Sequence, residues 1–375
     1  MKILQVTNHF YPHKGGIEEE VYCLSREMVR RGHEVTVVCS DDPAVGDLTV
    51  ENIRVRRLPV AGKISNTNIT GRLFSELFRT KYDIIHTHLP YPWNASISSF
   101  VSAFRRKPLF LTYNNDTVGT GLNGCIAQAY NYSLLPFLLN RAERIFILHA
   151  DYLRESRFLK KYASKVTVAL PGVDTSRFKP QEMSRIETNV VFFLSILDKL
   201  HEYKGLSYLL ESIKLLRPMI PVKLYVGGKG DRLDFYQDFV ARNGLADTVT
   251  FLGYMKEEDT VKYYNLCDVF VLPSVSSAEG FGLVALEAMA CRKPVIVTKY
   301  VGVTPDIQAV NAGLVVESSN AAALADALHH ILSHKNEARA KGQQAFKLIT
   351  EKYTWGRHAD IIEDAYKGSL NKKRL

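Results

Sequence analysis

The feature that most constrains this chain is a rhythm. Short runs rich in β-branched and apolar residues alternate with segments of helical period, once over residues 2–169 and again over 190–298. In the first run a strand over 2–7 precedes a helix whose apolar residues, Ile17, Val21, Leu24 and Met28, fall on one stripe. Arg30, Arg31 and Gly32 close that helix, and strands are predicted at 34–39, 53–58, 83–86, 109–112, 144–148 and 166–169. Helices are predicted at 69–78, 95–105, 124–140 and 151–161. The second run places strands at 190–196, 222–226, 249–252, 269–272 and 294–298, with helices at 204–216, 232–242, 257–265 and 281–290. Three more helices follow, at 321–333, 336–352 and 356–368. Strand-helix alternation of this kind gives a parallel sheet covered on both faces, so the fold class is α/β with two such domains.

A chain of 375 residues exceeds what one hydrophobic core usually organises. The polar stretch 174–189 (DTSRFKPQEMSRIETN) reads as the join between the two cores. We therefore expect domains at 1–178 and 179–355, with a terminal helix (356–375) packing back on the first. Doubly wound sheets bind ligands at the carboxyl ends of their strands, and two such domains would face a cleft. The five cysteines, Cys23, Cys39, Cys125, Cys267 and Cys291, show no paired spacing, which argues against a zinc site or a disulfide scaffold and fits a reducing cytoplasm. The opening apolar run breaks too early for a signal peptide, and no stretch reaches the roughly 20 apolar residues of a membrane span. A soluble or peripherally attached chain is expected.

Charge is unevenly spread. Residues 1–180 carry 24 basic and 16 acidic side chains, and the rest of the chain is nearly balanced at 24 against 23. Arg54, Arg56, Arg57, Lys63, Arg72, Arg79, Lys81 and Arg105–Lys107 could form a basic face beside helix 69–78, whose Ile69, Leu73, Phe74, Leu77 and Phe78 add an apolar stripe. That combination suits an anionic membrane surface. No nucleic-acid-binding motif accompanies the charge, so nucleic acid is not an expected partner.

The segment most informative about chemistry is Glu279-Gly280-Phe281-Gly282-Leu283-Val284-Ala285-Leu286-Glu287. Two carboxylates flank a glycine-rich turn that opens a helix, and a helix start is a place for phosphate. If helix covers the span, the two acids lie roughly 12 Å apart, a length suited to a nucleoside diphosphate-sugar. Glu287, set among aliphatic residues, requires a polar partner.

These residues resemble the E-x7-E motif of the retaining GT-B glycosyltransferases of family four, and the resemblance runs along almost the whole chain. It takes in Gly15-Gly16-Ile17-Glu18, Asp83–His88, Pro171–Asp174, Lys204-Gly205, Val226-Gly227-Gly228, Phe251–Gly253, Cys267–Ser274 and Lys293–Val297. The resemblance implies a donor site in which Glu279 contacts the sugar, Gly280, Phe281, Gly282 and Leu283 present backbone to the diphosphate, and Glu287 holds the ribose. Lys204 would neutralise the leaving diphosphate, Gly16 would approach the phosphate from the other domain, and Gly228, Gly253 and Tyr254 would shape the nucleotide side of the site. His86 or His88, with His13 and Tyr113, are candidates to line the acceptor side, His88 with a catalytic role.

Two departures from the family pattern stand out. Where relatives carry an Arg before the Lys, this chain has Ser195-Ile196-Leu197-Asp198-Lys199, so the second cation on the diphosphate is either missing or supplied by Lys199, His201 or another residue. Where relatives carry a His at the end of a strand near the reacting sugar, this chain has Asn114, an amide that can hydrogen-bond but not titrate. The activity implied is retaining transfer from a nucleotide diphosphate-sugar, with UDP favoured, to a lipid-linked or oligosaccharide hydroxyl. No obligatory metal is expected, because no D-x-D motif occurs where one belongs, and no other cofactor. A catalytically weak sugar-nucleotide-binding subunit is the alternative that Asn114 and Ile196 raise; a nucleotide-sugar epimerase fits the motif run less well. The expected location is the cytoplasm, including the inner face of the plasma membrane.

Overall fold

A computed structural model describes the chain except for residues 14, 66, 120, 184–188, 277 and 373–375. It divides into two units, Met1–Gly172 with Trp355–Leu375, and Val173–Thr354. Part of the polar join, 184–188, lies outside the described residues.

Unit 1 begins with β1 (Lys2–Val6), α1 (Gly16–Arg30), β2 (Glu34–Ser40), β3 (Leu48–Val50), β4 (Ile53–Leu58), β5 (Gly62–Ile64) and β6 (Thr67–Ile69). It continues through α2 (Leu73–Arg79), β7 (Ile84–Leu89), α3 (Pro92–Arg105), β8 (Leu109–Tyr113), α4 (Gly121–Arg141), β9 (Arg144–Ile147), α5 (Asp151–Glu155) and β10 (Val166–Val168). Its main sheet has the order β10-β9-β8-β7-β1-β2-β4-β3, parallel except for the β3–β4 pair. From Ile3 onward β1 is wholly buried, as a central strand covered on both faces must be. Val21, Leu24 and Met28 of α1 are fully buried against it, each contributing about 1.5–3 kcal/mol by leaving water.

Unit 2 comprises β11 (Val190–Leu194), α6 (Leu206–Leu216), β12 (Lys223–Gly227), α7 (Leu233–Arg242), β13 (Val249–Gly253), α8 (Glu257–Leu266) and β14 (Val269–Leu272). Then come α9 (Leu283–Ala290), β15 (Val295–Thr298), α10 (Thr304–Val310), β16 (Gly313–Val316), α11 (Ala321–Ser333) and α12 (Lys335–Lys352). The sheet order is β13-β12-β11-β14-β15-β16, parallel throughout. The terminal helix α13 (Trp355–Lys372) belongs to unit 1, where Ala359, Ile362 and Tyr366 join the core beneath α1.

Several expectations need correction. Residues 173–178 belong to unit 2, because Val173 donates to the Tyr353 carbonyl and Phe178 packs on Tyr264. The strand expected at 83–86 runs on to Leu89. The helix expected at 151–161 stops at Ser156, whose backbone turns extended and whose hydroxyl donates to Asp116 at 2.7 Å. The helix expected at 69–78 starts at Leu73, since Ile69 is paired in the β5–β6 hairpin. The short elements β3, β5, β6, α10 and β16 carry too few periodic residues to be seen in sequence.

Candidate functional site

In unit 2 the strand order reverses at β11, which has β12 on one side and β14 on the other. In a doubly wound sheet the loops leaving two such strands part and leave a crevice at their carboxyl ends. Those loops carry Lys204 and Glu279. The Lys204 Nζ lies 2.7 Å from Glu279 Oε2, and the Ser274 hydroxyl donates to the same oxygen at 2.8 Å. Glu279 is 5% exposed, so its charge is compensated twice where water is scarce. The approach is close because Gly205, at φ 81°, lies over Pro273; a Cβ there would sit 2.1 Å from the Pro273 carbonyl oxygen. The sequence placed Lys204 and Glu279 in one site, while Ser274 was seen only as the end of a strand motif.

Beyond Glu279 the chain makes its glycine turn. Gly282 caps α9 at φ 83°, and a Cβ there would meet Val301 at 2.4 Å. Phe281 points inward against Tyr353, ring centroids 5.6 Å apart, so it offers the site backbone rather than side chain. No side chain caps α9; the Ala285 N–H already donates to the Gly282 carbonyl at 2.8 Å, so it is the Leu283 and Val284 N–H groups at the helix start that suit an anion. The polar partner required by Glu287 is Tyr264, whose hydroxyl donates at 2.8 Å. Burial, then the neighbouring Glu287 charge, holds that phenol well above its ordinary pKa, so it remains a donor. The helix starts four residues after Glu279, so the separation of roughly 12 Å expected from helical rise alone does not apply to this span.

The loop after β12 closes another side. Gly228 sits at φ 124°, where a Cβ would fall 1.7 Å from the Ser195 carbonyl oxygen, and a Cβ on Gly230 would fall 2.2 Å from that of Leu197. Both strain and collision forbid a side chain at Gly228. Gly228→Ala is expected to destabilise unit 2 by more than about 3 kcal/mol, measured by urea unfolding, whereas Gly280→Ala, with open space around it, should cost under about 1 kcal/mol. Equal stability of the two variants would contradict this reading of the loop.

The backbone N–H of Lys199 donates to Asp231 at 3.1 Å, and its ammonium extends from a short 3-10 turn over Lys199–Lys204. His201 is tied to Asp198, ring Nδ1 to carboxylate 2.6 Å, which leaves Lys199 the less committed cation of the two. Gly253, at φ 68°, lets the chain turn toward Tyr254, whose ring is 66% exposed. The Lys229 ammonium stands 5.3 Å over that ring, an exposed cation–π pair that sequence reasoning missed because a lone lysine after Gly-Gly gives no signal.

In unit 1 the order reverses at β1, between β2 and β7. The loop after β1 leads through His13 and Gly15 to Gly16 at the start of α1, all exposed. His13 stacks on His9 at 4.3 Å, and burial, then the neighbouring ring, lowers its pKa. Tyr91, after β7, donates to Glu18 at 2.8 Å. Asn114 follows β8, half-buried, with its Nδ2 donating to the Leu89 carbonyl at 3.2 Å.

The histidine assignments need revision. His86 and His88 are 0% exposed: β7 extends past them, and α13 covers that face. His86 is held between Tyr366 and Thr112, at 2.6 and 2.9 Å, and His88 by Gln5 at 3.0 Å. Burial keeps His86 neutral and pushes His88 down to about 3. Neither lines an open surface, and His88 has no access to act as a proton carrier. Tyr113 is also fully buried and donates to Asp116 at 2.9 Å, a core tyrosine rather than an acceptor contact. No group of three or more His, Cys, Asp or Glu side chains able to hold a metal occurs among the described residues.

Two parallel α/β sheets, each with its polar groups at the switch point, define a GT-B type of protein. Comparison with known proteins makes this specific. The family described as Glycosyltransferase Family 4 matches residues 14–177, and Glycosyl transferases group 1 matches residues 177–348. The chain belongs to these glycosyltransferases. It is 28% identical to O-antigen chain mannosyltransferase C of Escherichia coli, over 98% of this chain and 97% of that one. It is 25% identical to a GDP-mannose-dependent alpha-(1-6)-phosphatidylinositol monomannoside mannosyltransferase of Mycobacterium tuberculosis, over 98% of each. Among solved structures, sucrose-phosphate synthase of Thermosynechococcus elongatus superposes with a TM-score of 0.77 at 22% identity, over 99% of each chain. Anabaena HepE in complex with UDP gives 0.78 at 18%, over 98% of this chain and all of that one. The fold is GT-B and the protein is a glycosyltransferase.

Proposed function

We propose that the chain transfers a hexose with retention from a nucleotide diphosphate-sugar to a hydroxyl of a lipid-linked or oligosaccharide acceptor. The observation that carries this reading is the Lys204–Glu279 pair beside the uncapped start of α9. The diphosphate lies at the α9 N–H groups and Lys204, with Lys199 as the second cation. Glu279 takes the sugar hydroxyls. In the reaction the bond from sugar C1 to phosphate oxygen breaks, its electron pair leaving with the diphosphate. The acceptor oxygen bonds to C1 on the same face, and its proton passes to the departing phosphate. Charge stabilisation of that leaving group is the main task of the protein. Lys204 and the helix start supply it, which supports transfer without an obligatory metal, so EDTA should leave the rate unchanged.

For the donor we favour mannose carried by GDP over the UDP-sugar expected from sequence. The reason is that two relatives aligning over nearly the whole chain are named mannosyltransferases, one of them GDP-mannose-dependent. Nucleotide release from a panel of sugar nucleotides tests this. GDP-mannose should exceed the UDP-sugars by at least about tenfold in kcat/KM, and the reverse order would restore UDP.

The acceptor side supports a membrane-attached substrate. Unit 1 holds 27 basic and 18 acidic side chains, which is the whole net charge of +9, while unit 2 balances 21 with 21. In α2, Leu73 and Leu77 are buried in the core but Phe74 and Phe78 remain exposed. Phe74 meets the 73%-exposed Phe104 of α3 edge-on at 6.5 Å, making an aromatic ridge flanked by Arg72, Arg79, Lys81 and Arg106. Arg57 does not belong to this face; it is buried and donates to the Phe10, Tyr11 and Ser40 carbonyls. Among the described residues no helix is long and apolar enough to cross a membrane, so attachment would be peripheral. Phe74→Ser with Phe104→Ser should cut co-sedimentation with anionic vesicles by about tenfold or more. Binding that is indifferent to lipid charge and to these residues would exclude the proposal.

A further inference from the structure

The donor groups of unit 2 stand at the carboxyl ends of its strands. At the amino ends of β14 and β15, on the far side of the same sheet, lies a cavity of about 310 Å³. Its charged lining is Arg292, Lys293, Lys335, Arg339 and Asp268. Four basic side chains against one acid leave a surplus of three positive charges, in a unit whose charges otherwise balance. Asp268 and Lys293 stand just before the two strands, Arg292 in the turn after α9, and Lys335 and Arg339 in the first turns of α12. Packing holds these elements together: a Cβ on Gly342 of α12 would fall 2.3 Å from the Arg292 carbonyl oxygen. The Arg292 guanidinium lies 5.1 Å from the centroid of the Phe346 ring, and the Lys293 ammonium donates to the Asn265 carbonyl at 2.7 Å. The Lys335 ammonium donates to Asn189 Oδ1 at 2.7 Å and stands 3.8 Å from Asp268 Oδ2, which also accepts from the Val190 N–H at 2.8 Å. These neutral contacts fix positions without cancelling charge. Neither Arg292 nor Arg339 pairs with a carboxylate among the described residues.

Like charges converging on one cavity repel, and an anion seated among them relieves that repulsion. We propose that this cavity is a second anion site, separate from the donor site, which takes a small soluble molecule bearing a diphosphate group. A single phosphate ester, at about −1.5 to −2, answers only part of the surplus, and a diphosphate answers it more fully. Arg292 and Arg339 supply planar guanidinium groups suited to phosphate oxygens. The volume is at the small end of ligand pockets, on the order of 300 Å³, and buried Ile331 and Ala338 form part of the wall. A compact ligand fits that concavity, whereas a nucleic acid offers an extended row of phosphates. The eight residues of α9, rising about 12 Å, separate the cavity from the helix start assigned to the donor diphosphate. The site does not depend on the assignment of glycosyl transfer.

Isothermal titration calorimetry of the full chain with inorganic pyrophosphate tests the proposal. Pyrophosphate should bind at a site that Arg292→Gln/Arg339→Gln weakens by at least about tenfold and that Lys204→Ala leaves within about twofold. Both arginines are exposed, so the double variant should fold as the wild type does. Arg339→Gln alone, which leaves the stacking of Arg292 on Phe346 intact, should weaken the site by about threefold or more. Binding that only Lys204→Ala abolishes, or that the arginine variants leave unchanged, overturns the proposal. Sulfate at equal ionic strength should compete at least about tenfold less well than pyrophosphate; equal competition would mean general charge attraction and would overturn it too. Anionic vesicles should co-sediment with the double variant as with wild type. A loss there would make the cavity a lipid headgroup contact and overturn the assignment of a soluble ligand.

Discussion

Glu279→Gln should lower kcat/KM by about a thousandfold, near 4 kcal/mol of transition-state stabilisation, while shifting the melting temperature of unit 2 by no more than a few degrees. The amide keeps the shape of the acid and can still accept from the Ser274 hydroxyl, which stands 2.8 Å away. What it loses is charge. Lys204, 2.7 Å distant, keeps an exit to water because its side chain is 17% exposed, so the usual cost of stranding a buried cation is largely avoided. A sugar hydroxyl that hydrogen-bonds a carboxylate gains more from it as C1 becomes electron-poor, and the variant forfeits that gain. Lys204→Ala should lower turnover by about a hundredfold or more, by removing the cation from the leaving group. If Glu279→Gln lost stability in proportion to activity, the pair would be a structural ion pair and the donor site would lie elsewhere.

Acid should separate the two units. His86, His88 and His358 of unit 1 are all fully buried and kept neutral by burial, His88 down to about 3 and His358 to about 4. A group depressed in the folded state takes up its proton only on unfolding, so stability falls as pH drops below the ordinary histidine value near 6.5. Glu20 acts oppositely: raised to about 8, it makes the folded state relatively more stable as pH falls from 8 toward 4.5. Glu363 adds to the acid loss only below about 4.5. Burial opposes its ionisation, but Lys367, Arg31 and His33 hold it down to about 2. Near pH 5.5 the unfolded unit thus binds about two more protons than the folded one, a slope of about 2–3 kcal/mol per pH unit. Unit 2 has no buried histidine among its described residues. Calorimetry should show the unit 1 transition moving down by about 10 °C or more between pH 7 and 5 while that of unit 2 moves much less. Transitions that shift together would mean that the histidine cluster is hydrated or charged in the native state.

The unit 2 site was the more legible in sequence because its chemistry sits on local motifs. Glu279, Gly282 and Glu287 are close in the chain, and Lys204 adjoins a Gly whose freedom the packing needs. The partners of those groups, Tyr264 for Glu287 and Ser274 for Glu279, are set by strand order. Unit 1 misled for a related reason. His86-Thr-His88 alternates on a strand in a way that resembles an exposed pair, but the cover comes from α13, more than 250 residues later. Periodicity reports which residues share a face and is silent about what will lie on it. In α2 the apolar stripe was visible as a whole, and only the fold divides it into buried leucines and exposed phenylalanines.

The most direct test of the central claim is the anomeric configuration of the product formed from GDP-mannose and a lipid-linked glycan, read from the one-bond C1–H1 coupling. The account predicts an α-linked product, with release of GDP that depends on both Glu279 and Lys204. A β-linked product, or release that persists in the Glu279→Gln and Lys204→Ala variants, would contradict it.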